Sequence, residues 1–471
     1  MNLTKMQRVR LRRSGFTLVE LMIALLLTGV VSVVIYSLFD TTSDNFVEVD
    51  NLADATDRVR FALERVRNDV QMAGSQMTPD SLGDKAWVQP RPQGYRVAGL
   101  IPYAGWQNGD PRIADVMAAN PETSFDGIIL MGAYDYPLSF EVSGLLPDSL
   151  GNQQAAIPAH YRGLFRLHYA DPFSSQLDVS ENFRNTAAVT PLVKTMFDNI
   201  SAKLLRISDR QGYQQFVKIN GYQPITTVGR YPVVHLNLNA ANAPLGPQYK
   251  RMGTGTSTDP RIDYGLDNAP EGDIGYDASF IDAFWYHVVP DPRDPNLVRL
   301  VRDRLCAPLV AQAFNATISD PAALRCPNRQ DRVVVADHVA DFQVWFDCAD
   351  AKGGLTGAAD QLWNTNWIAP GGDSGGGCMV GSPLQVGRAR VAHVRLTLHT
   401  PTERKTQTNV KFEDRTGFLC PNGTCPTPLP DGAMLRTYDP YPTATGAARV
   451  VTLQSDVVLP NFANRNVLYT P

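Results

Sequence analysis

The sequence predicts an α+β protein: a long N-terminal α-helix, membrane-spanning in its first half, packed on a large, mainly antiparallel β head. Three observations predict it. The apolar run from Phe16 to Phe39 carries one charge, Glu20. Beyond it, Val59, Leu63, Val66, Val70 and Ala73 recur at helical spacings of three and four, a single apolar stripe. The rest of the chain is punctuated by short runs of β-forming residues. Composition fits that class. The 471 residues are 44% hydrophobic and 19% charged, enough to bury a sizeable core and too apolar for wholesale disorder. Gly (36) and Pro (34) imply many turns. A net charge of −4 speaks against a general nucleic-acid binder, which carries a basic stripe. With one long apolar run, a polytopic membrane protein is excluded.

In chain order, residues 1–15 contain Lys5, Arg8, Arg10, Arg12 and Arg13 and no acid. The segment 16–39 follows, and about 20 apolar residues span a bilayer as a helix. Basic residues beside a span stay cytoplasmic, so the C-terminal bulk is expected outside. A secretory signal would have a shorter apolar core and an Ala-x-Ala-like site; Ile35-Tyr36-Ser37-Leu38-Phe39-Asp40-Thr41-Thr42 is a poor one. Glu20 needs a reason, because a carboxylate at the centre of a span costs about 2.5–3.5 kcal/mol. A cut after Gly15 would leave an α-amino group on Phe16, with Glu20 four residues on as its counter-charge; otherwise Glu20 sits at headgroup level. The helical pattern runs on to Ala73, about 87 Å from Phe16 at 1.5 Å per residue. Gly74, Ser75 and Pro79 are stop signals.

In the head, Asp126–Met131, Gly163–Tyr169 and Pro232–Leu238 read as strands, as do Arg332–Phe346 and Arg449–Leu459. The clearest is Arg388–Thr400. Ala392, Val394, Leu396 and Leu398 face one way; Val391, His393, Arg395, Thr397 and His399 face the other, the pattern of a half-buried strand. A Gly-, Pro-, Asp- and Thr-rich stretch suggests a loop at 241–278. It would separate a subdomain at 75–240 from a β-rich one at 279–471, with 16–74 as the N-terminal helix.

Ser14-Gly15-Phe16-Thr17-Leu18-Val19-Glu20, followed by an apolar helix, resembles the leader of type IV prepilins and pseudopilins. The resemblance implies cleavage between Gly15 and Phe16 by the prepilin peptidase, N-methylation of Phe16 and subunit docking through Glu20. Ser14 stands where the family often has Lys or Arg. The order Phe284–Val288, Leu297–Leu300, Val333–Val344 and Val391–Leu398 is similar to that in PilW-type minor pilins. Gln71-Met72-Ala73-Gly74 resembles that family's Arg-x-Ala-Gly helix end. The likeness covers 8–40 and, more loosely, 280–465. It implies a pilin-like lollipop, a minor pilin in type IV pilus assembly or initiation. Its partners would be other minor pilins, the major pilin, the prepilin peptidase and a tip adhesin. It would sit single-pass in a bacterial inner membrane, head periplasmic, or in the pilus at the cell surface. A minor pseudopilin of type II secretion is the alternative.

All six cysteines, Cys306, Cys326, Cys348, Cys378, Cys420 and Cys425, fall in the C-terminal part. An even count in an exported domain suggests disulfides; of fifteen pairings the sequential one, 306–326, 348–378 and 420–425, is the simplest. No Cys-x2-Cys pair or nearby His supports zinc. Gly372-Asp373-Ser374-Gly375-Gly376 matches the nucleophile segment of trypsin-like proteases, but the seven histidines lack the context of a base. A Gly-rich loop is the better reading, a membrane-anchored serine hydrolase the remote one. The acidic stretch 259–273 lacks EF-hand spacing and reads as a solvated loop rather than a calcium site. No P-loop or dinucleotide fingerprint occurs. No enzyme activity, cofactor or metal is expected.

Overall fold

The computed structural model describes residues 17–77, 98–103, 113, 125–135, 140–142, 144–147, 153–158, 200–208, 214–222, 226–228, 231–238, 276–293, 297–313, 321–327, 332–348, 389–400, 410–414, 434–438 and 450–463. These form an N-terminal helix and antiparallel β-sheets, an α+β protein. The chain divides into two compact units, Met1–Asp54 and Ala55–Pro471. Helix α1 is a 55-residue element, Leu18–Met72.

In the first unit every side chain from Thr17 to Ser43 is exposed. Leu18–Ser43 has a mean hydropathy of 2.6 and is long and apolar enough to cross a membrane. Three of its hydroxyls are satisfied within the helix itself. Thr28, Thr41 and Thr42 donate to the carbonyls of Ala24, Ser37 and Leu38, four residues back, at 2.7–2.9 Å. In lipid such bonds satisfy the hydroxyl internally.

The second unit starts on the amphipathic turns of α1. Ala55, Val59, Ala62, Leu63, Val66, Val70 and Ala73 are buried, so the apolar stripe faces a core as its spacing predicts. The helix ends at Gly74, whose φ of 72° is left-handed and suits glycine. The Gly74 N–H donates to Met131 O at 2.8 Å, tying the helix end to the strand that carries Met131, and Asn461 Nδ2 donates to Ala73 O at 3.0 Å, satisfying a carbonyl that a helix end leaves orphaned.

Asp126–Met131 becomes strand β2 (Gly127–Gly132), buried on both faces. Ile128 and Leu130 join the core beneath α1; Ile129 and Met131 join a second core on the opposite face. β2 lies in a twelve-stranded sheet beside β1 (Leu100–Tyr103) and β10 (Tyr276–Pro290). The first half of β10 pairs with β6 (Leu204–Ser208) and β3 (Phe140–Val142). Its second half pairs with β2 and β11 (Val298–Leu305), and β11 pairs with β12 (Val333–Ala336). Beyond β6 the sheet continues through β7 (Gln214–Tyr222), β9 (Tyr231–Leu238), β5 (Gln153–Pro158) and β4 (Gly144–Pro147), with β8 (Thr226–Val228) on β9. Strands on both sides of 241–275 thus share one sheet.

A second sheet contains β13 (Val339–Cys348), β14 (Ala389–His399) and β17 (Val450–Val458); β15 (Val410–Asp414) pairs with β16 (Met434–Tyr438). Buried Asp126 links the two larger sheets. Its N–H donates to Phe342 O at 2.8 Å and its carboxylate accepts the Val344 N–H at 2.9 Å. Two sequence expectations need correction. Arg332–Phe346 is two strands in different sheets, because the chain turns at Asp337-His338, where His338 adopts φ 59°. The polar face of β14 is not solvated along its length: Arg395, Thr397 and His399 are buried. Arg395 donates from Nη2 to Asp341 Oδ2 and Gln343 Oε1, both at 3.0 Å, which makes burial of its charge tolerable. The strand expected at Gly163–Tyr169 lies outside the described residues.

Candidate functional site on the N-terminal helix

Thr17 is the N-cap of α1. Its N–H and its hydroxyl donate to Glu20 Oε2 at 2.9 and 3.0 Å, while its Oγ1 accepts the Glu20 N–H at 3.3 Å. This reciprocal pattern is a capping box, and the Thr-x-x-Glu spacing that encodes it was legible in the sequence but not read there. It turns the only carboxylate of the apolar segment back toward the chain start. A helix N-terminus also favours negative charge through its peptide dipoles. Glu20 is therefore poised at the end of the helix nearest Phe16. Gly15 and Phe16 lie outside the described residues.

Residues 10–36 match the prokaryotic N-terminal methylation motif, the type IV prepilin-like leader. The match spans Arg10, Arg12, Arg13, Gly15-Phe16, Glu20 and most of the apolar run, and it points to a type IV pilin-like or pseudopilin N-terminus. No curated protein and no solved structure matches the chain.

In the second unit the last turns of α1 are tied down by polar contacts. Asp69 accepts the Tyr286 hydroxyl at 2.6 Å on Oδ2 and lies 2.7 Å from Arg302 Nε; its carbonyl accepts the Tyr134 hydroxyl at 2.8 Å. Burial and the Asp69 charge push both tyrosine hydroxyls well above their ordinary pKa, so they act purely as neutral donors. On the same sheet buried Lys203 pairs with Asp282 at 2.8 Å and with Asp135, and Arg304 bridges the same two carboxylates. These groups neutralise one another, as buried charges must.

The opposite sheet face is covered by α2 (Ala307–Ala313) and a short 3-10 turn, Pro321–Leu324. Cys306 and Cys326 form a disulfide across this flap, with Cα atoms 4.9 Å apart, as the sequential pairing expects. The side chain of Cys348, and Cys378, Cys420 and Cys425, lie outside the described residues. Beneath the flap the fully buried His287 stacks on Trp285 with ring centroids 3.4 Å apart, and its Nε2 lies 2.9 Å from Asp303. Arg325 and Arg332 hold the same carboxylate at 2.7 and 2.9 Å. Burial lowers the His287 pKa to about 4 despite Asp303, because two arginines already balance that charge. Burial alone would raise Asp303; the His287 and Arg332 hydrogen bonds outweigh it and hold the carboxylate well below its usual range. His399 is likewise lowered to about 3 by burial.

Among the described residues no group of three His, Cys, Asp or Glu side chains is placed to hold a metal. Ser374 and the acidic stretch 259–273 lie outside the described residues.

Proposed function

We propose that the protein is a minor pilin of the PilW type, a non-enzymatic subunit acting in type IV pilus assembly or initiation. The observation that carries this reading is the methylation motif at 10–36, set on an exposed apolar helix whose Glu20 carboxylate is held by Thr17 at the end nearest the expected cut. The leader is removed between Gly15 and Phe16, Phe16 is methylated, and the new amino group meets a carboxylate: its own Glu20 or that of a neighbouring subunit. The chain sits single-pass in the inner membrane, N-terminus cytoplasmic and head periplasmic, a placement supported by the basic cluster at 5–13.

Trading lipid for sister helices changes little apolar free energy, since lipid tails are as apolar as leucine. Association then depends on polar register and close packing. Glu20 supplies the first. Small residues such as Ala24 and Gly29 supply the second; a Cβ at Gly29 would meet nothing within 4 Å, so the room there is open for a neighbour. Other minor pilins and the major pilin are the proposed partners, and the size and β content of the head suit a tip or base position.

N-terminal mass spectrometry of the protein from its native cells tests the reading. The expected mature chain begins at methylated Phe16. A chain beginning at Met1 in cells with an active prepilin peptidase overturns it.

A further inference from the structure

Lys203 is a lysine only 1% exposed, placed where a 3-10 turn (Ile200–Ala202) runs into β6. Leu204 pairs with Ile281, so Lys203 sits across the ladder from Asp282 on β10. On the other side of β10 Asp282 pairs with Gly132, which brings in Asp135 three residues on. The three side chains converge. Lys203 Nζ lies 2.8 Å from Asp282 Oδ1 and also contacts Asp135 Oδ2. Arg304 Nη1 donates to Asp282 Oδ1 at 2.9 Å, and the Asp135 N–H donates to Asp282 Oδ2 at 3.1 Å. Phe284, two residues along β10, walls the site; Tyr134 meets its ring edge-on at 5.2 Å and the Arg304 guanidinium lies 4.9 Å from its centroid. The Asp282 side chain is wholly buried, whereas that of Asp135 is 34% exposed, so the group reaches solvent mainly at Asp135. Desolvating two charges costs about what their attraction returns, so the buried pair adds little stability as it stands. Joining it as an amide would remove both charges from the interior and leave Asp135 and Arg304 as a balanced pair.

We propose that Lys203 and Asp282 condense into an intramolecular isopeptide bond, with Asp135 as the proton carrier. Asp135 takes a proton from the Lys203 ammonium and passes it to Asp282 Oδ1, giving a neutral amine beside a carboxylic acid. Low polarity favours that neutral pair. The Nζ lone pair attacks Asp282 Cγ and forms the C–N bond, while the Asp135 N–H steadies the charge that develops on Oδ2. A second proton passes from Nζ through Asp135 to Oδ1. The Cγ–Oδ1 bond breaks, Oδ1 leaves as water and the carbonyl re-forms on Oδ2. Both protons of that water come from Lys203, nothing is oxidised or reduced, and Asp135 ends as the carboxylate it began as. Burial alone would raise the Asp135 pKa; the Lys203 and Arg304 charges outweigh it and hold the carboxyl below its ordinary value, so it starts in the form that accepts a proton. The strand register supplies the proximity that a bimolecular condensation lacks. The bond ties β6 to β10 at the centre of the sheet, and reductant does not open it, unlike the Cys306–Cys326 bridge. It requires neither leader cleavage nor assembly into a pilus.

Intact-mass spectrometry of the full-length protein, purified in detergent, then reduced and unfolded, tests the proposal. The expected mass is one water below that of the linear chain, counted from whichever residue the chain begins at. A tryptic digest should lack cleavage after Lys203 and contain a branched peptide joining Lys203 to Asp282. Lys203→Arg and Asp282→Ala should each restore the full mass. Either change also leaves a buried charge short of a partner, so Asp135→Asn is the more telling variant. It keeps the backbone N–H and a side-chain oxygen for Lys203 and Arg304; it should melt cooperatively yet lose the water at least about a hundredfold more slowly after refolding. A wild-type chain at the full linear mass, a branched peptide joining other residues, or an Asp135→Asn chain that loses water as fast as the wild type overturns the inference. The wild-type mass and peptide decide the matter without any variant having to fold.

Discussion

At Glu20 a hydrogen-bond acceptor and a charge occupy one side chain, and substitution can separate them. Glu20→Gln keeps an oxygen for the Thr17 donors and loses the charge; Glu20→Ala loses both. If pairing with the Phe16 amine drives docking, both variants should cut filament number sharply, counted by electron microscopy of sheared cells. A Gln variant with normal filaments would reduce Glu20 to a helix cap. A second residue with a clear pH signature is His287. Its Nε2–H donates to Asp303, and among the described residues its buried Nδ1 has no hydrogen-bond partner, so protonation would place an N–H there without an acceptor. The folded pKa, about 4, lies below the unfolded value of about 6.5. The unfolded chain therefore takes up the proton first as pH falls. Stability is full above pH 6.5 and lost between about 6.5 and 4, by up to about 3 kcal/mol. Urea melts at pH 7 and pH 4.5 should show the loss, and His287→Gln should flatten the profile across that window.

The flap over the second core and the end of α1 are the elements whose geometry is most constrained. The Cys306–Cys326 bridge closes a segment of sequence separation 20, worth about 3 kcal/mol in a chain-entropy account. Cys306→Ser with Cys326→Ser should lower stability by about that amount in a non-reducing melt. The loss should be smaller if Arg325, still paired with Asp303, keeps the flap seated. At the helix end, a Cβ on Gly99 would lie 2.7 Å from the Gly74 backbone, and one on Gly132 would lie 2.9 Å from Met72 O. Neither neighbour is the tip of a flexible side chain. Gly99→Ala should therefore cost about 1–3 kcal/mol through backbone displacement, read as a lowered melting temperature of the purified protein. The same helix end is closed by Asn461 and Phe462, almost 400 residues away in sequence, so the last helix, α3 (Pro460–Ala463), is a structural part of the first.

For the molecule as a whole, the division at Asp54/Ala55 carries its own expectation. All the buried apolar residues of α1 belong to the second unit, and the exposed apolar run belongs to the first. A chain beginning at Ala55 should keep the helix stripe, both cores and the β10-centred sheet. It should elute as a soluble monomer in size-exclusion chromatography and melt cooperatively. The full chain should need detergent. A truncated protein that aggregates or melts without cooperativity would overturn the expectation.

The sequence by itself determined the outer features: the basic leader, the apolar span with Glu20, the helix stripe from Val59 to Ala73, the glycine stop, and strands such as β2, β9, β14 and β17. Each is written in local periodicity or spacing, which the backbone obeys wherever the segment is placed. The Thr17–Glu20 capping box was equally local and could have been read. What only the tertiary structure decided is how segments far apart complete one another. Asp69 with Tyr134, Tyr286 and Arg302, Asp126 across two sheets, and Asp303 with His287, Arg325 and Arg332 each join residues from elements distant in the chain. Nothing local marks these polar residues as buried, and the alternation in β14 places Arg395 and His399 only on the face opposite its apolar one. A buried charge is tolerated only where a partner arrives from elsewhere, and that arrival is a property of strand order and register, which no local pattern encodes.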